Sequence, residues 1–219
     1  MTDFHHALRS LRVWDTVLPD FDPAGAPEEP IGLFREWFTA AVDAGQGEAH
    51  TMSLATAGED GRPDVRIVML HDVDERGWHF ASHAGSAKGR QLAARPEAGL
   101  CFYWPVQGRQ VRVRGRVTVG TAEEAYADLH ARTTGALASA LVGRQSEVLD
   151  SPTTLAEASE AAWRRAEAEP TAHAPSWTLY VVEPAEVEFF QGDERRRHVR
   201  LRYRREPDGG GWVRELLWP

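Results

Sequence analysis

A single cysteine, Cys101, occurs in 219 residues, which excludes an intramolecular disulfide and any cluster of thiolate metal ligands. No apolar run approaches the ~20 residues that a membrane-spanning helix requires. The N-terminus, Met1 to Ser10, carries His5 and His6 and lacks the apolar core of a signal peptide. Excess positive charge is also missing. The formal net charge is −8, so neither nucleic acid nor an anionic membrane meets the basic field that it needs. His5, His6, His71, His79 and His83 have no cysteine partner, and no metal site is expected. Gly85 and Gly89 around Ser86 form no G-x-G-x-x-G fingerprint. What remains is a protein that handles a small molecule, with the cytosol as its expected location.

Periodicity then gives the organisation. Residues 1–30 read as an arm, with an extended, Pro- and acid-rich stretch from Asp20 to Pro30. Residues 31–219 read as one domain, because no linker or repeat divides them. Ile31, Phe34, Trp37, Phe38, Ala41 and Val42 follow helical spacing from Ile31 to Ala44, and Gly45 stops the helix. From Thr51 the period changes to two. Strands are predicted over Met52–Ala57, Asp64–Val73, Trp78–Ser82, Gly99–Trp104 and Arg109–Val119, with a short helix from Ser86 to Arg95.

The middle third is helical. Thr121 with Glu124, and Thr154 with Glu157, are capping-box pairs for helices reaching Arg132 and Glu169. Strands return at Trp177–Glu183, Val187–Gln191, Val199–Glu206 and Trp212–Leu217. Strands at both ends with helices between them predict a mainly antiparallel β fold with peripheral helices, an α+β barrel rather than βαβ units.

Polar anchors recur within these strands. Arg66 opens the run Ile67-Val68-Met69-Leu70, Ser86 and Lys88 start a helix just after a strand, and Gln110 lies early in the strand Arg109–Val119. A strand cation, a Ser-x-Lys at a helix start and an amide on another strand suit one planar ligand that bears a phosphate.

These residues also carry a family resemblance. Arg66-Ile-Val-Met-Leu70, Gly85-Ser-Ala-Lys-Gly-Arg-Gln91, Arg109-Gln-Val-Arg-Val-Arg-Gly115, Gly143-Arg-Gln-Ser146, Val187-Glu-Phe-Phe-Gln-Gly192, Arg196-Arg-His198 and Leu216-Leu-Trp-Pro219 resemble, in order, the pyridoxine/pyridoxamine 5′-phosphate oxidase family. The resemblance implies a split β-barrel homodimer that binds FMN at the subunit interface. It implies that Arg66, Lys88 and Ser82 contact the FMN phosphate and ribityl chain. Gln110, Gln145, Ser146 and Arg200 would hold the isoalloxazine, backbone groups of Ile67, Val68, Met69 and Ala81 would line the site, and Phe190 stands at the place of a flavin-proximal tryptophan. Arg196 and His198, two apart on an extended segment and so on one face, would hold substrate and serve the chemistry. The implied reaction passes a hydride from substrate to FMN and then to dioxygen, giving hydrogen peroxide.

Departures from the family pattern bear on substrate. His71 stands where the vitamin B6 oxidases carry a phosphate-gripping lysine, Asp128 at that cage's tyrosine and Ala136 at its serine, while Arg132 remains. Ala87 replaces an arginine beside Lys88. Losing one charge-assisted bond and two neutral ones costs on the order of 4 kcal/mol, roughly a thousandfold in affinity. The altered cage resembles the phenazine-biosynthesis branch, as do Phe21-Asp22-Pro23, Ser82-His83 and Leu201-Arg-Tyr203. The expected substrate is therefore a reduced, carboxylated ring compound held by His71, Arg132, Arg196 and His198. The alternatives are a true B6-phosphate oxidase, a deazaflavin-using reductase, and a flavin-binding protein without turnover.

Overall fold

The computed structural model describes residues 3–14, 16–206 and 210–219; Met1, Thr2 and Asp15 of the arm, and Pro207 to Gly209, lie outside the described residues. Among the described residues, nine strands form one sheet and six α-helices accompany it. They are β1 (Thr51–Ala57), β2 (Pro63–Met69), β3 (Asp72–Asp74), β4 (Gly77–His83), β5 (Glu97–Trp104), β6 (Arg109–Val119), β7 (Trp177–Gln191), β8 (Val199–Arg205) and β9 (Trp212–Leu216). Their order is β2-β1-β5-β6-β7-β4-β3, with β8 against β7 and β9 against β8. The pairs β1–β2, β1–β5, β3–β4, β4–β7 and β8–β9 are antiparallel. The α-helices are α1 (Phe4–Ser10), α2 (Pro30–Asp43), α3 (Ala87–Ala94), α4 (Ala122–His130), α5 (Thr134–Val142) and α6 (Pro152–Ala168). No helix among the described residues is long and apolar enough to cross a membrane.

The chain divides into two compact units. Unit 1 comprises residues 1–49, 102–112 and 187–219, and unit 2 comprises residues 50–101 and 113–186. In unit 1, α2 starts with Pro30 at its first turn and buries Leu33, Phe34, Trp37 and Ala41. Phe34 meets Phe102 edge-on at 5.0 Å and Trp37 meets Phe189 at 5.2 Å. Val42, expected on the apolar stripe, is 51% exposed, because the buried face follows the i, i+4 series through residues 33, 37 and 41. On β8, Leu201 and Tyr203 are buried while Arg200, Arg202 and Arg204, which alternate with them, stay partly exposed. The arm is more structured than an extended strap. Asp3 caps α1, and Asp22 caps a single 3-10 turn at Pro23–Gly25.

Unit 2 buries Met52, Leu54, Trp78 and Phe80, with Phe80 stacked on Tyr180 at 5.2 Å. Leu129, Leu137, Ala138, Ala140 and Ala166 form its helical cluster. Three expectations change here. The predicted strand Asp64–Val73 is two strands, since Leu70 N–H bonds His50 O while His71 N–H bonds His79 O, so the chain changes partner there. The cap of α6 is Ser151, whose Oγ accepts from Thr154 N–H, with Pro152 as the first helical residue. The break expected at Pro184 is absent and β7 runs through it. Opposite that point β6 carries Gly115, where a Cβ would lie 1.9 Å from Glu183 O; only glycine permits that approach. The Thr121–Glu124 capping box is present in full.

Candidate active site

Arg66 projects from edge strand β2 across its neighbour β1. Its Nη1 donates to Thr56 Oγ1 at 2.5 Å and to Leu54 O at 3.2 Å, its Nη2 donates to Gln91 Oε1 at 3.0 Å, and it pairs with Asp64. Gln91, on α3, closes the group by donating through Nε2 to Asp64 Oδ2 at 3.0 Å. That bond, ahead of the opposing desolvation and aided by the Arg66 charge, holds the Asp64 carboxyl below its ordinary value. The guanidinium is thereby fixed by several acceptors before any ligand arrives.

Lys88 is the second cation. Ser86 caps α3 by accepting from Gly89 N–H at 3.1 Å. A Cβ on Gly89 would fall 2.3 Å from Ala84 O, so the first turn packs tightly on the preceding loop and carries Lys88 inward. Lys88 is 8% exposed. Its Nζ donates to Ser82 Oγ at 3.1 Å and Gln145 Oε1 at 3.2 Å, and Ser82 Oγ donates to the same Gln145 oxygen at 3.0 Å. Burial lowers the ammonium's pKa, the Arg66 charge lowers it further, and Asp64 opposes them. A buried lysine that bonds only neutral oxygens, beside an arginine that already has its carboxylate, leaves one positive charge unmatched. An anionic phosphate would supply the missing partner. The donor set thus fits the phosphate of an FMN.

His71 and Asp128 bond each other, with Nδ1 to Oδ1 at 2.6 Å. Trp177 Nε1 donates to the other carboxylate oxygen at 3.1 Å. Burial pushes the Asp128 carboxyl up, but the His71 bond and charge, Trp177 and the Arg132 charge outweigh it and leave the pKa lowered. Arg132 lies just past α4 and Ala136 in the first turn of α5.

Unit 1 gathers other predicted residues. Phe190 and His198 have ring centroids 5.0 Å apart, and Trp14 of the arm meets His198 edge-on at 5.5 Å. Asp193 N–H donates to His198 Nδ1 at 3.0 Å; a backbone N–H only donates, so neutral His198 carries its proton on Nε2. Arg200 donates through Nε to Glu188 Oε1 at 2.8 Å and through Nη1 to Trp218 O at 2.9 Å. Glu188 is buried and also bonds Arg112 at 3.3 Å. Gln110 is half-buried on β6.

Within unit 2, Ser82, Lys88 and Gln145 therefore form one bonded group, and Arg66 another with Thr56, Asp64 and Gln91; the Arg66 charge is felt at Lys88. Gln145, expected at the isoalloxazine, accepts from the ammonium through Oε1, and Ser146 follows it in the loop after α5 with φ +71°. Ile67 and Met69 are exposed on β2, Val68 is paired with Met52, and Ala81 is paired with Leu179 on β4. Sequence reasoning missed Thr56, Asp64, Gln91, Trp177, Glu188 and Trp14. The spacing of Gln91 from Lys88, i and i+3 on one helix, was an available signal; Trp14 gave none. Among the described residues no group of three or more His, Cys, Asp or Glu side chains is placed to hold a metal.

Comparison with known proteins agrees with this picture. Residues 38–190 match the family described as pyridoxamine 5′-phosphate oxidase, and residues 177–219 match the pyridoxine 5′-phosphate oxidase C-terminal dimerisation region. A pyridoxine/pyridoxamine 5′-phosphate oxidase of Salinibacter ruber is 44% identical over 88% of this chain and 90% of its own length. One from Burkholderia multivorans is 43% identical over 90% and 92%. Among solved structures, PhzG from Burkholderia lata, in complex with tetrahydrophenazine-1-carboxylic acid, superposes with a TM-score of 0.85 at 30% identity, covering 92% of this chain and 99% of that one. That likeness establishes the split β-barrel fold, mainly antiparallel β with helices around it.

Proposed function

The chain belongs to the pyridoxamine 5′-phosphate oxidase family, and from that premise we propose that it is an FMN-dependent oxidase of a reduced, carboxylated ring compound rather than of a B6 phosphate. The observation that carries this reading is the 2.6 Å bond between His71 and Asp128. In the B6-oxidase pattern, where a tyrosine stands at position 128, a lysine at position 71 would offer a free cation to a substrate phosphate. His71 is instead committed to a carboxylate held in its charged form, and the pair leaves Arg132 as the cation of that cage. One cation suits a monoanionic carboxylate better than a phosphate dianion.

In this reading, Arg66 and Lys88 hold the flavin phosphate, with Ser82 and Gln145 bonding the ammonium and Gln91 and Thr56 fixing the guanidinium. Gln110, Ser146 and Arg200 serve the isoalloxazine, Glu188 keeping Arg200 in place. The bound FMN supplies hydride acceptance and reoxidation by dioxygen to hydrogen peroxide. Arg132 and Arg196 draw the substrate carboxylate. His198, with its Nδ1 occupied by Asp193 N–H, presents Nε2–H as a donor, so it orients the substrate and does not act as a base in its neutral form. The C-terminal dimerisation match supports a homodimer.

A second reading, oxidation of pyridoxine or pyridoxamine 5′-phosphate, is favoured by the names of relatives at 44% and 43% identity. Parallel oxygen-consumption assays with both B6 phosphates and with a reduced phenazine carboxylate separate the two. Oxidation of the carboxylate alone supports the proposal, and efficient oxidation of the B6 phosphates refutes it.

A further inference from the structure

Oxidation at a reduced ring nitrogen removes a hydride from carbon and a proton from the neighbouring N–H. The arginines assigned above cannot accept that proton, and neutral His198 carries its own proton on Nε2 while Asp193 N–H occupies Nδ1. His71 has the opposite arrangement. Its Nδ1 lies 2.6 Å from Asp128 Oδ1, and Trp177 Nε1 donates to Oδ2 at 3.1 Å. An ionised carboxylate only accepts, so the ring proton sits on Nδ1 and neutral His71 keeps its lone pair on Nε2. That nitrogen makes no hydrogen bond among the described residues and is not sealed from solvent, so a ligand reaches it. In this geometry a carboxylate fixes the tautomer of an imidazole and stabilises the imidazolium that forms when Nε2 takes a proton.

The dyad lies beside an uncommitted cation. Arg132 is half-buried just past α4 and makes no side-chain hydrogen bond or ion pair among the described residues, yet its charge acts on Asp128. In a ring that carries its carboxyl group at the position nearest the reduced nitrogen, the cation that holds the carboxylate and the base that takes the N–H proton must be neighbours. Arg132 and His71, both coupled to Asp128, meet that requirement. The strands also set the dyad near the buried ammonium: Trp177 pairs with His83 on β4, and the next pair along, Thr178 with Ser82, leads to Lys88. The other histidines of β4 are engaged elsewhere, His79 with Asp74 at 2.8 Å and His83 with Ser176 Oγ at 2.8 Å.

We propose that His71 is the general base of the oxidation: its Nε2 takes the proton of the reduced ring nitrogen while the adjacent ring carbon gives up its hydride to the bound flavin, leaving a C=N bond in the ring. The imidazolium formed is held by Asp128, which is the positioning residue, and Trp177 fixes that carboxylate. Hydride, proton and dioxygen together account for the hydrogen peroxide, so the step balances. This role rests on the oxidase reading and narrows its substrate to a ring with an N–H close to the carboxylate.

Two measurements test it. In the flavin-loaded protein without substrate, nitrogen NMR of isotope-labelled histidine should show neutral His71 with its proton on Nδ1. A proton on Nε2 overturns the proposal, and this readout needs neither turnover nor a folded variant. The second measurement is anaerobic bleaching of the flavin by a reduced phenazine-1-carboxylate. His71→Gln should bleach about a hundredfold more slowly, the lower end for a general base, at a half-saturating concentration close to wild type, because Arg132 holds the carboxylate. The wild-type rate should fall toward acid as the imidazole is protonated by solvent, and that limb should be absent from His71→Gln. Asp128→Asn, which frees the imidazole to adopt the other tautomer, should slow bleaching by more than about tenfold. An undiminished rate in His71→Gln overturns the base and leaves the oxidase reading standing. Failure of the carboxylate to bleach the wild type overturns that reading and the base together.

Discussion

His71 and Asp128, 57 residues apart in sequence, bond each other at 2.6 Å, and Trp177 donates to the second Asp128 oxygen at 3.1 Å. Two of the three positions read as departures from the B6-phosphate cage are therefore one physical unit. Changing either alone leaves the other in place: a lysine at 71 would be neutralised by Asp128, and a tyrosine at 128 would strand His71. The proposed substrate preference therefore rests on the pair and not on either residue alone.

The pair also predicts an acid response. Asp128 has its pKa lowered from 3.8 in the folded protein. A depressed carboxylate stabilises the fold above its unfolded pKa and loses that contribution as pH falls through the folded one. Asp128→Asn should therefore be less stable at pH 7, by about 2 kcal/mol for a charge-assisted bond. The gap from wild type should narrow below pH 3.8. Urea melts at several pH values measure this; a constant gap would contradict the lowered pKa.

Flavin retention tests the two cations. Arg66→Ala with Lys88→Ala removes both charges proposed to face the flavin phosphate, and the purified protein should be colourless with a wild-type circular dichroism spectrum. Undiminished flavin content would move the phosphate site elsewhere.

Assembly is a separate test. The match of residues 177–219 to a dimerisation region predicts a particle of about twice 24.4 kDa by light scattering. A monomer that keeps its flavin would contradict a site completed by a second subunit.

Gly115 predicts a steric result. A Cβ there would meet Glu183 O at 1.9 Å and Ala185 N at 2.9 Å, both backbone atoms that cannot swing away. Gly115→Ala should cost about 3 kcal/mol, the upper range for overpacking, and lower the melting temperature by roughly 6–12 °C for a chain of this size. A melting temperature within a degree of wild type would mean that β6 and β7 part easily.

Much of the fold was legible because it rests on local signals. The two-residue alternation of β1, β6 and β8 and the capping box at Thr121 depend on neighbours in sequence. The misreadings share a cause in tertiary pairing. Pro184 breaks a strand by propensity, yet β7 continues because Gly115 admits the close approach. Leu70 and His71 look like one strand but bond different partners. At the candidate site, Arg66 and Lys88 could be named from their residue types and order and Ser82 from the family resemblance, whereas Thr56 and Gln91 gain a role only once β1, β2 and α3 are adjacent. The bond from His71 to Asp128 was hidden for the same reason; each was read as a separate loss to the cage when they are partners.

Steady-state oxidation of pyridoxine and pyridoxamine 5′-phosphate by the wild type and by His71→Lys/Asp128→Tyr/Ala136→Ser most directly tests the claim that this cage no longer accepts a B6 phosphate. The account predicts negligible wild-type turnover, and a triple-variant affinity for the B6 phosphate higher by as much as about a thousandfold, the scale of the lost bonds. His71→Lys alone should give little of that gain. Wild-type turnover of about 1 s⁻¹ or more at micromolar KM, the ordinary enzymatic range, would contradict it.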